Sequence, residues 1–314
     1  MKKEKLIVLT GPTAVGKTEL SLRLAADIGG EIVSADSMQV YRGMDIGSAK
    51  IPEKDRQGIP HHLLDICDPT EDFHVVRFQT EAKKCIREIQ KRGHIPILTG
   101  GTGFYIQSVL YDIDFTEADE DTSFREELEK RAREEGCEAL HRELSEVDPE
   151  AAAAIHPHNV KRVIRALEFA AQTGGKISVH NEQERAKESP YLFAYLVLNR
   201  PRAELYERIN RRVDVMMEEG LLDETRRLYE AGLTPDRVSM QGLGYKQLFA
   251  YLMGECSYEE AVDRIKKETR HFAKRQITWF KRERDVSWIN RDEYPDEDAM
   301  YAAIREILNA KGLC

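Results

Sequence analysis

Residues Gly11-Pro12-Thr13-Ala14-Val15-Gly16-Lys17-Thr18 have the spacing G-x-x-x-x-G-K-[ST] and directly follow the apolar run Leu6–Leu9. A buried strand entering a glycine-bounded turn that opens a helix is the context in which such a loop grips phosphate. Its backbone N–H groups point at an oligophosphate, Lys17 adds a mobile positive charge, and the Thr18 hydroxyl is placed to hold Mg²⁺. A glycine turn without a ligand is the competing reading. The motif leaves open which phosphate compound binds and what happens to it.

Asp36 stands just past a second expected strand, Glu31–Ser34, as the phosphate loop stands past the first. Ligands of open α/β sheets bind along that edge, so Asp36 and Lys17 are expected to face one cleft. The alternative is an Asp that caps the following turn. Thr99 follows the run Ile95–Leu98 at the place where many phosphate-loop ATPases carry a metal-holding Asp. That disfavours an ATP-driven motor and suits a group-transfer enzyme with a simpler Mg²⁺ site. Gly100-Gly101-Thr102-Gly103 lets backbone approach a ligand and leaves Thr102 as the side-chain donor, although a plain tight turn also explains the glycines.

Other clusters are less specific. His61-His62-x-x-Asp65 superficially resembles a metal cluster, but adjacent residues of an extended segment point to opposite faces, which favours a structural role. Arg162 and Arg165 are three apart on one expected helix, and Arg208 and Arg212 four apart on another. Either pair suits phosphate or plain solvent. Residues 264–284 hold nine Lys/Arg against two Glu. There Lys267, Arg270, Lys274 and Lys281 recur at helical spacing, while Ile265, Phe272, Gln276 and Trp279 fall on other faces. Such a stripe fits a phosphate backbone, and equally a solvated helix.

The elements that must position these residues alternate in the first third: strand 6–9, helix 17–28, strand 31–34, a short strand 62–66, helix 75–92 and strand 95–98. This rhythm predicts a parallel sheet wrapped by helices. From about residue 116 the strand-like runs give way to helices over 122–147 and 159–172, closed by Gly174-Gly175 and the polar stretch 181–190. Tyr191–Leu198 reads as another core strand, and the remainder as mostly helical. The expected fold is therefore α/β, a P-loop parallel sheet flanked by helices. Residues 1–115 and 191–314 form the catalytic core, and 116–190 an all-helical insertion.

The chain has 314 residues, 41% hydrophobic and 33% charged, with a net charge of −9. The charge argues weakly against a polyanion partner, but it is unevenly spread: Asp112, Asp114, Glu117, Asp119, Glu120 and Asp121 crowd together with no cation among them. No run approaches the roughly 18 apolar residues of a membrane span. The start of the chain does not read as a signal peptide. The five scattered cysteines read as reduced thiols rather than a disulfide framework or zinc site. A cytoplasmic monomer without membrane association is expected.

The residues in fixed order resemble the tRNA dimethylallyltransferase (tRNA isopentenyltransferase) family of the bacterial type. The resemblance rests on the phosphate loop, Ser34–Gly47 with its Asp-Ser-Met-Gln-Val-Tyr run, Gly100–Tyr105, Arg162–Glu168, Gly244–Gln247 and Lys274–Trp279, and it covers nearly the whole chain. It implies that the loop holds dimethylallyl diphosphate with Mg²⁺ on Thr18, and that the acceptor is the adenosine just 3′ of the anticodon in tRNA. It further implies Asp36 as general base, Thr102 orienting the base or the bridging oxygen, and Lys17 with Arg208 or Arg212 steadying the departing diphosphate. Expected tRNA contacts are Asp36, Ser37, Met38, Gln39, Thr102, Lys161, Arg162, Arg165, Gly242, Gly244, Tyr245, Lys246, Gln247, Lys274, Arg275, Gln276, Thr278, Trp279 and Lys281. The insertion, with Arg125 as a contact, would clasp the anticodon stem-loop. Two departures stand out: His158-Asn159 replaces a frequent Asn-Asp, and Lys161 a usual Gln. The chain ends soon after Trp288, without the zinc finger of some eukaryotic relatives. An adenylate isopentenyltransferase shares the loop and Asp36 but not the need for the basic helix. A small-molecule kinase is the reading of the loop alone. A non-catalytic RNA-binding module leaves Lys17, Thr18 and Asp36 without purpose.

Overall fold

Six strands build one sheet: β1 (Glu4–Thr10), β2 (Gly30–Ser34), β3 (His61–His62), β4 (Ile95–Gly100), β5 (Tyr191–Asn199) and β6 (Val286–Asn290). Their order is β3-β2-β4-β1-β5-β6, with every neighbouring pair parallel. A parallel sheet is covered on both faces, which is why its inner strands are continuous apolar runs without alternation. The last five residues of β1 and all of β2 are buried accordingly. The structure, a computed structural model, describes residues 3–115 and 123–314.

Thirteen α-helices lie among the described residues: α1 (Lys17–Ile28), α2 (Val75–Lys91), α3 (Gly103–Leu110), α4 (Ser123–Glu134), α5 (Cys137–Val147), α6 (Pro149–Ala154), α7 (Val160–Thr173), α8 (Ile177–Ala186), α9 (Arg202–Glu218), α10 (Leu221–Glu230), α11 (Tyr245–Leu252), α12 (Tyr258–Phe280) and α13 (Glu297–Ala310). None is long and apolar enough to cross a membrane. Two compact units result, Met1–Leu110 with Pro190–Cys314, and Tyr111–Ser189.

In the first unit Ile7, Leu9, Leu24, Leu196, Leu205 and Ile304 are fully buried in one core. Each such side chain contributes about 1.5–3 kcal/mol. Helix α12 starts at a reciprocal cap: Ser257 Oγ accepts the Glu260 N–H at 3.1 Å, and Glu260 Oε2 accepts the Ser257 N–H at 3.0 Å. In the second unit Leu128, Leu140, Leu144, Val163 and Ile164 form a separate helical core. Asp148 fastens it by accepting from Ala151 N–H and from both the backbone and hydroxyl of Ser178.

Three sequence expectations need correction. The strand expected over 62–66 stops after His62, because Leu63 and Asp65 take φ of 63° and 57°, which no strand allows. The polar stretch 181–190 does close the segment, but its first part belongs to an unexpected helix: α8 runs through Ala186 and leaves only 187–190 outside it. Strand β6 is not among the expected elements and extends the sheet beyond β5, pairing Tyr195 with Val286. The acidic residues Glu117, Asp119, Glu120 and Asp121, and the expected first residue of the insertion, lie outside the described residues.

Candidate active site

The carboxyl ends of β1, β2 and β4 are stitched together before any ligand arrives. The buried Thr10 hydroxyl donates to the Gly100 carbonyl at 2.6 Å. A Cβ at Gly100 would stand 2.2 Å from the Ala35 carbonyl oxygen, so only glycine lets the loop after β4 lie against the residue before Asp36. Ala35 donates its N–H to Thr99 O at 2.7 Å and accepts from the Thr102 N–H at 3.2 Å. The Ser37 N–H donates to Thr102 Oγ1 at 3.2 Å. Asp36 and Thr102 thus ride on two loops bonded to each other.

Asp36 does cap its turn. Its Oδ1 accepts the N–H of Met38 at 2.8 Å and of Gln39 at 3.4 Å. Among the described residues no hydrogen bond engages Oδ2, which leaves that oxygen for chemistry. The capping reading of Asp36 therefore holds, and the residue also lines a cavity with Lys17. Gln39 is spent internally: its Oε1 accepts from Ser34 Oγ at 2.9 Å, and its Nε2 donates to Ser48 O at 3.2 Å.

In the phosphate loop Lys17 Nζ donates to Gly11 O at 3.0 Å and Pro12 O at 2.8 Å. Desolvation, reinforced by the Arg212 charge, lowers the Lys17 ammonium to about 7 against an opposing pull from Asp36. Burial likewise draws the Arg212 guanidinium below its ordinary range while Asp36 draws it back. Arg212 reaches Thr13 Oγ1 at 3.4 Å, whereas Arg208 donates to the Ala14 carbonyl at 2.9 Å. Of the two arginines left open by sequence, Arg212 is the one whose field acts on both Lys17 and Asp36.

Lys17, Thr18, Asp36, Thr102, Arg208 and Arg212 line one cavity of about 880 Å³. Ile209, Val213, Ile265 and Phe272 give the same cavity an apolar wall. The Thr99 Oγ1 atom is buried without a hydrogen-bond partner among the described residues, although Thr99 is on the cavity lining. The Thr18 hydroxyl has no partner among the described residues either. The free Thr18 hydroxyl on this cavity is a hard oxygen, which fits Mg²⁺, an ion that keeps waters and phosphate oxygens as its other ligands.

Several expected tRNA contacts turn out to be internal. Gln276 Oε1 accepts the Thr13 N–H at 2.9 Å and its Nε2 donates to Gly101 O at 2.9 Å, so it clamps the phosphate loop to the loop after β4. Tyr245 and Gln247 are buried. Gln247 accepts from the Gly244 N–H at 2.9 Å and donates to Glu268 at 2.8 Å. Tyr245 donates its hydroxyl to Glu224 Oε1 at 2.7 Å. Glu224, 2% exposed, also accepts the N–H groups of Asp45, Ile46 and Gly47 at 2.9, 3.0 and 3.1 Å. A Cβ at Gly47 would stand 2.5 Å from the Tyr245 ring.

Sequence reasoning missed Glu224, although a signal existed: it shares the buried face of α10 with Leu221, Thr225 and Leu228, where a carboxylate needs partners. Trp279 packs on the Phe104 ring with centroids 6.1 Å apart. The side chains of Lys246, Lys274, Arg275, Thr278 and Lys281 are exposed. In the second unit Lys161 and Arg162 are exposed on α7 and Arg165 is half-buried. Arg125 gives Nε and NH2 to the two Glu168 oxygens at 2.8 and 3.1 Å, a bidentate pair that holds α4 to α7. The His61-His62-Asp65 cluster is divided among Ile59 O, Glu31 and Lys50.

A family model described as IPP transferase matches residues 39–283, and one described as isopentenyl transferase matches residues 4–68. The chain is 56% identical to a tRNA dimethylallyltransferase of Lachnoclostridium phytofermentans, over 98% of each chain. Among solved structures it is similar to a tRNA isopentenylpyrophosphate transferase of Bacillus halodurans, with TM-score 0.75 and 46% identity, covering 98% of this chain and 97% of that one. It is also similar to a eukaryotic dimethylallyltransferase acting on tRNA, with TM-score 0.83 and 31% identity, covering 98% and 80%.

Proposed function

The chain belongs to the tRNA dimethylallyltransferase family, and from that premise we propose that Asp36 takes the proton while the phosphate loop holds the leaving diphosphate. The enzyme transfers a dimethylallyl group from dimethylallyl diphosphate to the N6 amine of the adenosine 3′-adjacent to the anticodon in tRNA, and diphosphate is released. The single observation that supports the proposed roles is the meeting of Lys17, Asp36, Thr102 and Arg212 on one cavity.

In the step itself the N6–carbon bond forms as the allylic carbon–oxygen bond breaks. The N6 proton passes to Asp36 Oδ2, and the bonding electrons leave with the diphosphate. An amine on a purine ring is a weak nucleophile, so alignment supplies much of the acceleration. The Thr102 hydroxyl, held by the Ser37 N–H, orients the base or the bridging oxygen. Lys17, Arg212 and the loop amides stabilise the charge gathering on the leaving group. Thr18 would hold Mg²⁺, which would supply further charge neutralisation to the leaving group. The apolar wall of Ile209, Val213, Ile265 and Phe272 suits the prenyl tail and excludes water.

The target base leaves the anticodon-loop stack to reach this cavity. Exposed Lys246, Lys274, Arg275 and Lys281 bind the loop backbone, and Lys161 and Arg162 of the helical unit bind the stem. The active form is taken to be a monomer, working in the cytoplasm with its tRNA. Incubation with dimethylallyl diphosphate, Mg²⁺ and unmodified tRNA should yield isopentenyl adenosine by nucleoside mass spectrometry, and adenosine monophosphate should not substitute for tRNA. No product with tRNA would end this reading; product with the free nucleotide alone would replace it with an adenylate isopentenyltransferase.

A further inference from the structure

Outside the cavity, three metal-binding side chains meet within the helical unit. Cys137 and Glu138 open α5, and His158 lies in the turn between α6 and α7. Cys137 Sγ is 3.2 Å from His158 Nδ1 and 3.1 Å from Glu138 Oε2, and His158 Nε2 is 3.7 Å from Glu138 Oε1. One ligand atom from each residue lies within 4.8 Å of the others. Around tetrahedral zinc, a sulfur at about 2.3 Å and a nitrogen or oxygen at about 2.0–2.2 Å stand roughly 3.5 Å apart. The Cys137 sulfur is therefore already near coordinating separation from both partners, while the histidine nitrogen and the carboxylate oxygen lie within 4.8 Å of each other. His156 Nδ1 accepts the His158 N–H at 3.2 Å, and the two rings stack with centroids 5.3 Å apart, which fixes the turn that presents His158. His158 is also one of the two departures from the family pattern.

We propose that Cys137, Glu138 and His158 form a site for a borderline-soft divalent ion of the Zn²⁺ class, with water completing the tetrahedron. The ion displaces the proton that the Cys137 thiol shares with Glu138. It ties the start of α5 to the turn before α7, the helix that carries Arg162 and Arg165. Thiolate and imidazole ligands select against Mg²⁺, which separates this site chemically from Thr18.

The test titrates the full-length, chelator-stripped protein with Co²⁺, whose ligation by thiolate gives a near-ultraviolet charge-transfer band. The expected result is one Co²⁺ per chain, displaced by Zn²⁺. The band should vanish in Cys137→Ser, and Co²⁺ affinity should fall about tenfold or more in His158→Gln, with circular dichroism unchanged. If Cys137→Ser does not fold, His158→Gln decides the matter. Absence of the band, its survival in Cys137→Ser through another of the five cysteines, or unaltered affinity in His158→Gln overturns the proposal.

Discussion

The backbone N–H of Thr13 donates to Gln276 Oε1 at 2.9 Å, a bond that joins the phosphate loop near the start of the chain to α12 near its end. Because Gln276 also donates to the Gly101 carbonyl, one amide sets the spacing between the loop at 11–18 and the loop that carries Thr102. Gln276→Ala leaves both backbone groups without that partner. The expected cost is about 1–3 kcal/mol in urea unfolding, together with a raised KM for dimethylallyl diphosphate; the two readouts together separate a positioning role from a merely stabilising one.

The lowered Lys17 ammonium makes diphosphate affinity pH-dependent in one direction. Below pH about 7 the lysine already carries its proton. Above that, binding an anion must draw a proton back onto Nζ, so affinity falls by up to about tenfold per pH unit. Affinity for a non-transferable diphosphate ester, measured from pH about 7 to 9, should decline in the wild type. It should stay nearly flat in Lys17→Arg, whose charge is permanent. A flat wild-type profile would refute the assignment.

Glu224 holds the 45–47 backbone through three N–H groups and Tyr245 through its hydroxyl. Glu224→Ala strips all four donors of their acceptor and should destabilise the protein by about 3 kcal/mol or more. Tyr245→Phe removes one bond and should cost about 0.5–1.5 kcal/mol, plus the penalty of a carboxylate oxygen left short of one donor. Equal losses in denaturant melts of the two variants would contradict the hub.

If exposed Lys274 and Lys281 meet tRNA phosphates, replacing both with Ala should weaken tRNA binding for every tRNA sequence tested. The slope of log affinity against log salt should shallow by roughly 0.7–0.9 for each phosphate that is no longer neutralised. Binding with an unchanged slope would place the tRNA elsewhere.

The residues legible in the sequence are those whose role is local. The phosphate loop, the strands at 6–9, 31–34 and 95–98, and the placement of Asp36 on the same sheet edge as Lys17 all follow from short-range pattern. What escapes depends on distant partners. Gln276 and Tyr245 are expected as tRNA contacts from the family resemblance alone; the backbone groups and the carboxylate that draw them inward belong to segments far along the chain. Strand β6 is a five-residue edge strand, Val286–Asn290, paired with β5 alone, and nothing in so short a run separates it from the helix-rich remainder around it. Helix α8 is so polar that nothing in its composition separates it from a loop.

The most direct test concerns Asp36 Oδ2. Asp36→Asn keeps an acceptor for the Met38 and Gln39 N–H groups, so the turn is retained, but it cannot take the N6 proton. In single-turnover assays with saturating dimethylallyl diphosphate and bound tRNA, transfer should slow by about 10²–10⁴-fold, with tRNA affinity unchanged. Transfer at the wild-type rate in Asp36→Asn would contradict proton abstraction by Asp36.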